Sequence, residues 1–318
     1  MTKAKFFSTL AFTLLLGSNL GAVNFRVATY NVENYLDQPT ESRHFVKSEA
    51  AKAKIRETIC AMNPDVLALE EMGTTNALLE LRAALKTAGQ NFPYWEQVQA
   101  FDTNIHVAIL SKLPIVSRHP HTNDDFLLDG RRFNVSRGFA EVEIRAATNF
   151  IFDVFVAHLK SRRPSPVADE AELRLQEARI LRGFVDQRLT RNPDTGLIVL
   201  GDFNDVKTSP STKEVIGHGR LKLTDTRPAE RNGDTDANLN PGYEPRSITW
   251  THYYGAEDSY SRIDYLLLSP EMAKHWLKPE TYIPTIPNWG TGSDHRPLLA
   301  TFSTDVEQTS KPPSEDIN

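Results

Sequence analysis

Apolar positions along the chain switch repeatedly between alternation and helical spacing, the pattern of strands interleaved with helices. Phe25 to Val32 alternates as a first strand and carries Asn31 and Glu33 to its far end. Ser48 is a plausible N-cap for a helix in which Ala51, Ile55, Ile59 and Met62 recur at helical spacing until Asn63 and Pro64 stop it. Asp65 to Leu69 reads as a buried strand ending at Glu70 and Glu71, and a second helix runs from Asn76 to Lys86. This opening is strand, helix, strand, helix.

The middle of the chain is richer in strands. Trp95 to Val98, Ile105 to Leu110, Phe133 to Ile144 and Phe150 to Ala157 fit best, with turns at Asp129, Gly130 and at Ala147, Thr148, Asn149 suited to antiparallel hairpins. A long amphipathic helix from Ala168 to Leu189 buries Leu173, Ile180, Leu181, Phe184 and Val185 on one stripe, and feeds the strand LIVLGD. Thr208 to Ile216 suits a short helix, and Thr224 to Arg246 a polar loop region. Ser247 to Trp250, Ile263 to Leu268 and Pro297 to Phe302 supply late strands. Two groups of strands, each with its own helices, predict an α/β (α+β) chain folded as a four-layer α/β/β/α sandwich of two packed mixed sheets. Strand ends from both halves then meet at one edge.

Composition adds domain limits and a location. The 318 residues, 40% hydrophobic, are read as a signal peptide over 1–22, one domain over 23–302 and a disordered polar tail over 303–318. Lys3 and Lys5, the apolar stretch Phe6 to Leu16 and the small residues Gly17, Ser18, Gly21 and Ala22 form the leader, so export to a periplasm or the medium is expected. The stretch falls short of the roughly 20 apolar residues of a membrane span. Cys60 is the only cysteine, which excludes an intramolecular disulfide. A net charge of −5, or −7 without the two leader lysines, is not that of a nucleic-acid binder as a whole. Arg131, Arg132, Arg137, Lys160, Arg162 and Arg163 nevertheless form two local basic groups that can serve a polyanion if they share a face.

Candidate chemistry collects at the predicted strand ends: Asn31, Glu71, His158, Asp202, Asn204, Asp264, Asp294 and His295. Each acid or amide alone suits a turn, but buried strands that repeatedly end in carboxylates need a compensating cation. Oxygen ligands such as Asn31, Glu71 and Asp294 suit Mg²⁺, Mn²⁺ or Ca²⁺, whereas one cysteine and scattered histidines give no zinc pattern. Adjacent on a strand, Glu70 and Glu71 point to opposite faces, so only one looks into a site. His295 lies in the loop SDHRP, where a neighbouring carboxylate fixes its tautomer and raises its basicity; Asp264, in SRIDYLLLS, is the candidate orienter. His44, His106, His119, His121, His218, His252 and His275 are assigned to surface or structure, with the role of His106 left open.

In order, TYNVEN, DVLALEE, VAILSK, FVAHLKS, GDFND, SRIDYLLLS and GSDHRPL resemble the motifs of the endonuclease/exonuclease/phosphatase superfamily, deoxyribonuclease I-like, over residues 25 to 302. The resemblance implies the sandwich already inferred. It also selects Glu71 over Glu70 and implies that Asn31 and Glu71, with Asp294 beside them, hold the catalytic cation. Asp202 then orients or deprotonates the attacking water, Asn204 hydrogen-bonds the phosphate, and His295, oriented by Asp264, contacts the scissile phosphate or acts as acid or base. His158 resembles the second histidine of the deoxyribonuclease I and sphingomyelinase branches.

The expected activity is divalent-metal-dependent phosphodiester hydrolysis by in-line attack of water, with nucleic acid as the substrate and Arg137 and Lys160 as substrate contacts. A sphingomyelinase-like phospholipase or a phosphomonoesterase shares the chemistry, and would need an exposed apolar loop for which Pro284 to Trp289 is the nearest candidate. An inactive binding module would have lost some of the acids, histidines or Asn204, and all are present. Nothing in the sequence implies a stable protein partner or a transmembrane segment, and a monomer is expected.

Overall fold

The computed structural model describes residues 22–231 and 247–306. The leader, apart from Ala22, and residues 307–318 of the expected tail lie outside the described residues, as does much of the polar loop before Arg246. The chain opens with β1 (Asn24–Tyr35), α1 (Glu49–Met62), β2 (Val66–Met72) and α2 (Thr75–Thr87). Strands β3 (Tyr94–Val98), β4 (His106–Ser111), β5 (Ile115–Arg118), β6 (Asp125–Leu128), β7 (Arg131–Asn134), β8 (Phe139–Ala147) and β9 (Phe150–His158) follow. Then come α3 (Glu170–Arg191), β10 (Leu197–Asp202), α4 (Pro210–Ile216), β11 (Thr224–Asp225), β12 (His252–Tyr254), β13 (Ser259–Ser261), β14 (Asp264–Leu268), β15 (Trp276–Tyr282) and β16 (Leu298–Ser303).

Two six-stranded mixed sheets result, one ordered β15-β16-β1-β2-β4-β3 and the other β11-β14-β10-β9-β8-β5. Each contains a parallel pair, β1 with β2 and β9 with β10, made by a helical crossover. Ser48 and Asp169 cap α1 and α3 by accepting backbone N–H bonds, and Asn63 ends α1 in the left-handed conformation. Among the described residues no helix is long and apolar enough to cross a membrane.

Strand alternation assigns the layers. Phe25 and Val27 of β1, Val66 and Ala68 of β2, Val154 and Val156 of β9, Ile198 and Leu200 of β10, and Leu266 and Leu268 of β14 share one core between the sheets. Their neighbours Ala28, Tyr30, Leu67 and Leu69 pack on Ile55, Ile59, Leu78 and Leu81 of α1 and α2. Phe155, Leu197, Val199, Tyr265 and Leu267 pack on Leu181, Val185 and Leu189 of α3. Both faces of the central strands are thus covered, as the near-continuous apolar run of β10 requires.

The expected strand from Phe133 to Ile144 is broken. Asn134 ends β7, and the next backbone groups turn to other partners: Ser136 N–H donates to Glu177 Oε1 (2.9 Å), and Ser136 O accepts from Asp102 N–H (2.6 Å). Gly138 follows at φ +63°, where a Cβ would stand 2.2 Å from His121 O, so only glycine permits the close approach. Ser247 to Trp250 is not a strand either. Trp250 O accepts from Arg296 Nη2 (2.7 Å), and Ile248 O from Glu230 N–H (2.9 Å), so side-chain and loop donors replace a ladder. Ser303, assigned to the tail, instead closes β16.

Candidate active site

The inward-facing series of five strands changes from apolar to polar at the same end of the sandwich. After Phe25 and Val27 come Thr29 and Asn31; after Val66 and Ala68 comes Glu70; after Val154 and Val156, His158; after Ile198 and Leu200, Asp202; and Asp264 precedes Leu266. Register brings the last three side by side, because Asp202 is opposite His158 in the parallel ladder and opposite Asp264 in the antiparallel one. Asn31 Nδ2 crosses between the sheets to donate to Asp202 Oδ2 (3.0 Å). Gly201 makes the approach of β10 to β9 feasible: at φ +128° it would place a Cβ 2.0 Å from Ala157 O.

His295 reaches this edge from the loop before β16. Its Nδ1–H donates to the buried Asp264 carboxylate at 2.9 and 3.2 Å, which turns Nε2 toward Asp202 Oδ2 (3.7 Å) and Asp294 Oδ1 (3.9 Å). Thr251 Oγ1 accepts from Ile263 and Asp264 N–H, and Ser293 Oγ accepts from His295 N–H, so both partners are held by backbone anchors. His158 Nε2 lies 3.6 Å from Asp202 Oδ2 and 3.9 Å from Glu71 Oε1. Asn204, at φ 54°, donates its N–H to Asp202 Oδ1 (2.8 Å) and its Nδ2 to Leu159 O (3.0 Å).

The environments set different protonation states. Burial, reinforced by the Asp264 charge and only partly offset by His295, pushes the Asp202 carboxyl up to about 7. Burial disfavours the charged form of His295, but Asp264 and Asp202 outweigh it and hold the imidazolium well above the usual histidine range. His158 moves the other way, well below that range, through burial and then the Arg137 charge. A protonated histidine, a carboxyl titrating near neutrality and a neutral histidine stand within one small volume, the arrangement that acid and base chemistry needs.

Glu70 and Glu71 do not divide between two faces as strict alternation requires. Glu71 takes φ 62° where the ladders on both sides of β2 shift register, and this bend swings it toward His158 while its Oε2 accepts from Asn34 N–H (2.9 Å). Glu70 is fully buried beneath the same site and accepts from Thr29 Oγ1 (2.7 Å). His252, assigned to surface or structure, packs its ring against His295 with centroids 4.6 Å apart. Its placement depends on long-range pairing that the sequence does not display. His106 is buried opposite Met72, with Nδ1 lacking a partner among the described residues.

Arg137 also belongs to this edge. Its guanidinium donates to Leu159 O (3.2 Å) and lies 3.4 Å from Asp102 Oδ2. Lys160 follows directly, anchored by its N–H to Glu177 Oε2 (2.6 Å); burial and the nearby Arg137 charge lower its ammonium pKa. The segments that carry the two basic groups touch: Arg131 Nη1, on the β6–β7 hairpin, donates to Val167 O (3.0 Å) in the loop that carries Arg162 and Arg163.

The model of the endonuclease/exonuclease/phosphatase family matches residues 28–295, a span that includes every one of these groups. The chain belongs to this family. Its members are phosphoesterase-type hydrolases, generally dependent on a divalent metal. Among curated proteins no sequence matches the chain. Among solved structures, the family's sandwich recurs in the human nocturnin catalytic domain with bound sulfate, at 16% identity and TM-score 0.58, covering 89% of this chain and 96% of that one. It recurs in Staphylococcus aureus beta toxin at 17% identity and TM-score 0.57, covering 87% and 99%. The Bacteroides vulgatus endonuclease/exonuclease/phosphatase is similar at 16% identity and TM-score 0.58, covering 90% and 100%. Identities this low establish the shared fold alone.

The chemistry of the oxygen donors suits the family's divalent cation. Asn31, Glu71 and Asp294 offer oxygen only, and no hydrogen-bond donor among the described residues occupies Glu71 Oε1. Burial and the Asp294 charge raise the nearby Glu33 carboxyl even though Lys47 Nζ is 3.4 Å from it.

Proposed function

We propose that the protein is an exported, Mg²⁺-dependent phosphodiesterase that hydrolyses nucleic acid. The observation that carries the hydrolytic reading is the Asp264–His295 hydrogen bond, which aims a charged imidazole at a buried carboxyl, Asp202, whose pKa lies near neutrality. Asp202 takes the proton of the attacking water, and His295 donates to the leaving oxygen or to the phosphate. His158 and Asn204 orient the phosphate at the same edge, and Arg137 and Lys160 hold the adjoining one. A divalent cation bound by Asn31, Glu71 and Asp294 supplies neutralisation of the charge that develops on the phosphate oxygens.

The contact between the two basic segments supports nucleic acid as the substrate, because successive cations reward a polymer of phosphates more than a single ester. The leader supports export. The loop Pro284 to Trp289 lends no support to a membrane-docking phospholipase: Ile286 is buried and Trp289 packs on Trp250 at 5.5 Å. The test is a panel of plasmid DNA, RNA, sphingomyelin and inositol phosphates with and without EDTA. Cleavage of DNA or RNA that EDTA abolishes is expected; exclusive hydrolysis of sphingomyelin or of a monoester would overturn the nuclease reading.

A further inference from the structure

Strand β12 is tied to the loop that carries His295. Tyr253 N–H donates to Asp294 O (3.0 Å), Arg296 N–H donates to Thr251 O (2.6 Å), and His252 and His295 are bridge partners. Directly opposed residues of an antiparallel bridge project side by side, which explains the 4.6 Å between the two rings. Both imidazoles then face one carboxylate. His252 Nε2 lies 3.6 Å from Asp294 Oδ2 and His295 Nε2 lies 3.9 Å from Asp294 Oδ1; one donor atom from each residue falls within 4.8 Å of the others.

This donor set differs in kind from that of Asn31 and Glu71. Two imidazoles and a carboxylate suit Zn²⁺ and similar borderline ions, whereas Mg²⁺ prefers oxygen throughout. His295 is already oriented for the task, because Asp264 takes its Nδ1–H and leaves Nε2 as the coordinating atom, the usual support of a metal-bound histidine. Zinc bonds of about 2.0–2.1 Å need donors roughly 3.3 Å apart, so a set whose donors lie within 4.8 Å of one another must contract by up to about 1.5 Å. Asp294, with 41% of its side chain exposed, has room to move.

We propose that His252, Asp294 and His295 form a second cation site, selective for Zn²⁺-class ions and sharing Asp294 with the Mg²⁺ site. An ion held there uses the lone pair on His295 Nε2, the atom that would otherwise carry the proton, so Zn²⁺ inhibits hydrolysis in the presence of Mg²⁺. Binding stands on the side chains alone; only the inhibition rests on the proposed hydrolytic function.

The test is calorimetric titration of the purified chain with Zn²⁺ in excess Mg²⁺, paired with a Co²⁺ titration followed by visible absorption. Wild type and His44→Ala, an exposed control, bind one equivalent alike, while His252→Ala and the more conservative His252→Gln weaken binding about tenfold or more. The Zn²⁺ concentration that half-inhibits Mg²⁺-supported hydrolysis rises by the same factor. Absence of Zn²⁺ binding in excess Mg²⁺, or affinity unchanged in both His252 variants, overturns the site. Zn²⁺ binding lost in those variants, in a protein that hydrolyses no phosphate ester, would sustain the site and refute the proposed function instead.

Discussion

Replacing Asp264 by Asn removes one charge and almost no volume from a buried position. In the native protein this carboxylate accepts from His295 Nδ1 at 2.9 and 3.2 Å, with Thr251 fixing its backbone. A hydrogen bond to a charged group contributes about 1.5–3 kcal/mol and a neutral one about 0.5–1.5, so the substitution forfeits roughly 1–2 kcal/mol if the amide oxygen still faces the ring. At about 1.4 kcal/mol per decade that is a loss of 5- to 30-fold in kcat; if the amide turns its NH₂ to the ring, the wrong tautomer is imposed and the loss can approach ~10⁴. The pH profile distinguishes this from a packing defect. Asp264 raises both the His295 and the Asp202 pKa, so its removal lowers both, and the two limbs of the profile move to lower pH together. The assay is kcat against pH at saturating Mg²⁺, with thermal melting to confirm folding. A variant within about twofold of wild type, with neither limb displaced, would refute the positioning role.

Four further outcomes follow from the same geometry. Burial holds the Glu70 carboxyl well above its ordinary 4.5, so the Glu70 contribution to stability is lost as pH rises from about 4.5 through that raised value, and Glu70→Gln removes this loss; melting in EDTA should show the variant gaining on wild type with increasing pH, and a constant difference would count against it. Gly201→Ala must place its Cβ 2.0 Å from Ala157 O at φ +128°, at a cost of about 3 kcal/mol or more, seen as a lowered denaturation midpoint; native stability would contradict the close approach. Glu71→Gln should raise the Mg²⁺ concentration for half-maximal activity about tenfold or more, and an unchanged requirement would remove Glu71 from the metal site. Charge reversal at the exposed Arg132 and Arg163 should flatten the salt dependence of cleavage of long DNA and leave a dinucleotide substrate unaffected; equal effects on both would argue against a polyanion wall.

Much of this organisation was legible before any coordinates. LIVLGD declared a strand buried on both faces, and the polar residues that end it, FVAH and TYN, with the acid that opens DYLLL, marked one edge, because alternation carries an inward-facing series from apolar to polar without changing face. Where local turn chemistry prevailed, the reading failed: the glycine at 138 and the side-chain partners of Ser136 cut one expected strand into two. Glu70 and Glu71 show a subtler limit. A register shift on both sides of β2 brings both acids toward the site, and no propensity in DVLALEEM announces it.

The sequence by itself determined most of the elements, the layered architecture and the identities of the groups at the strand ends, since these depend on periodicity and on residues a few positions apart. The tertiary structure alone decided which groups touch. Asn31 meets Asp202 across 171 residues, His158 Nε2 comes within 3.9 Å of Glu71 Oε1, and His252 meets Asp294 beside its bridge to His295. Such contacts are set by ladder register and by the packing of one sheet on another, which arise from the whole core and leave no local mark on the chain.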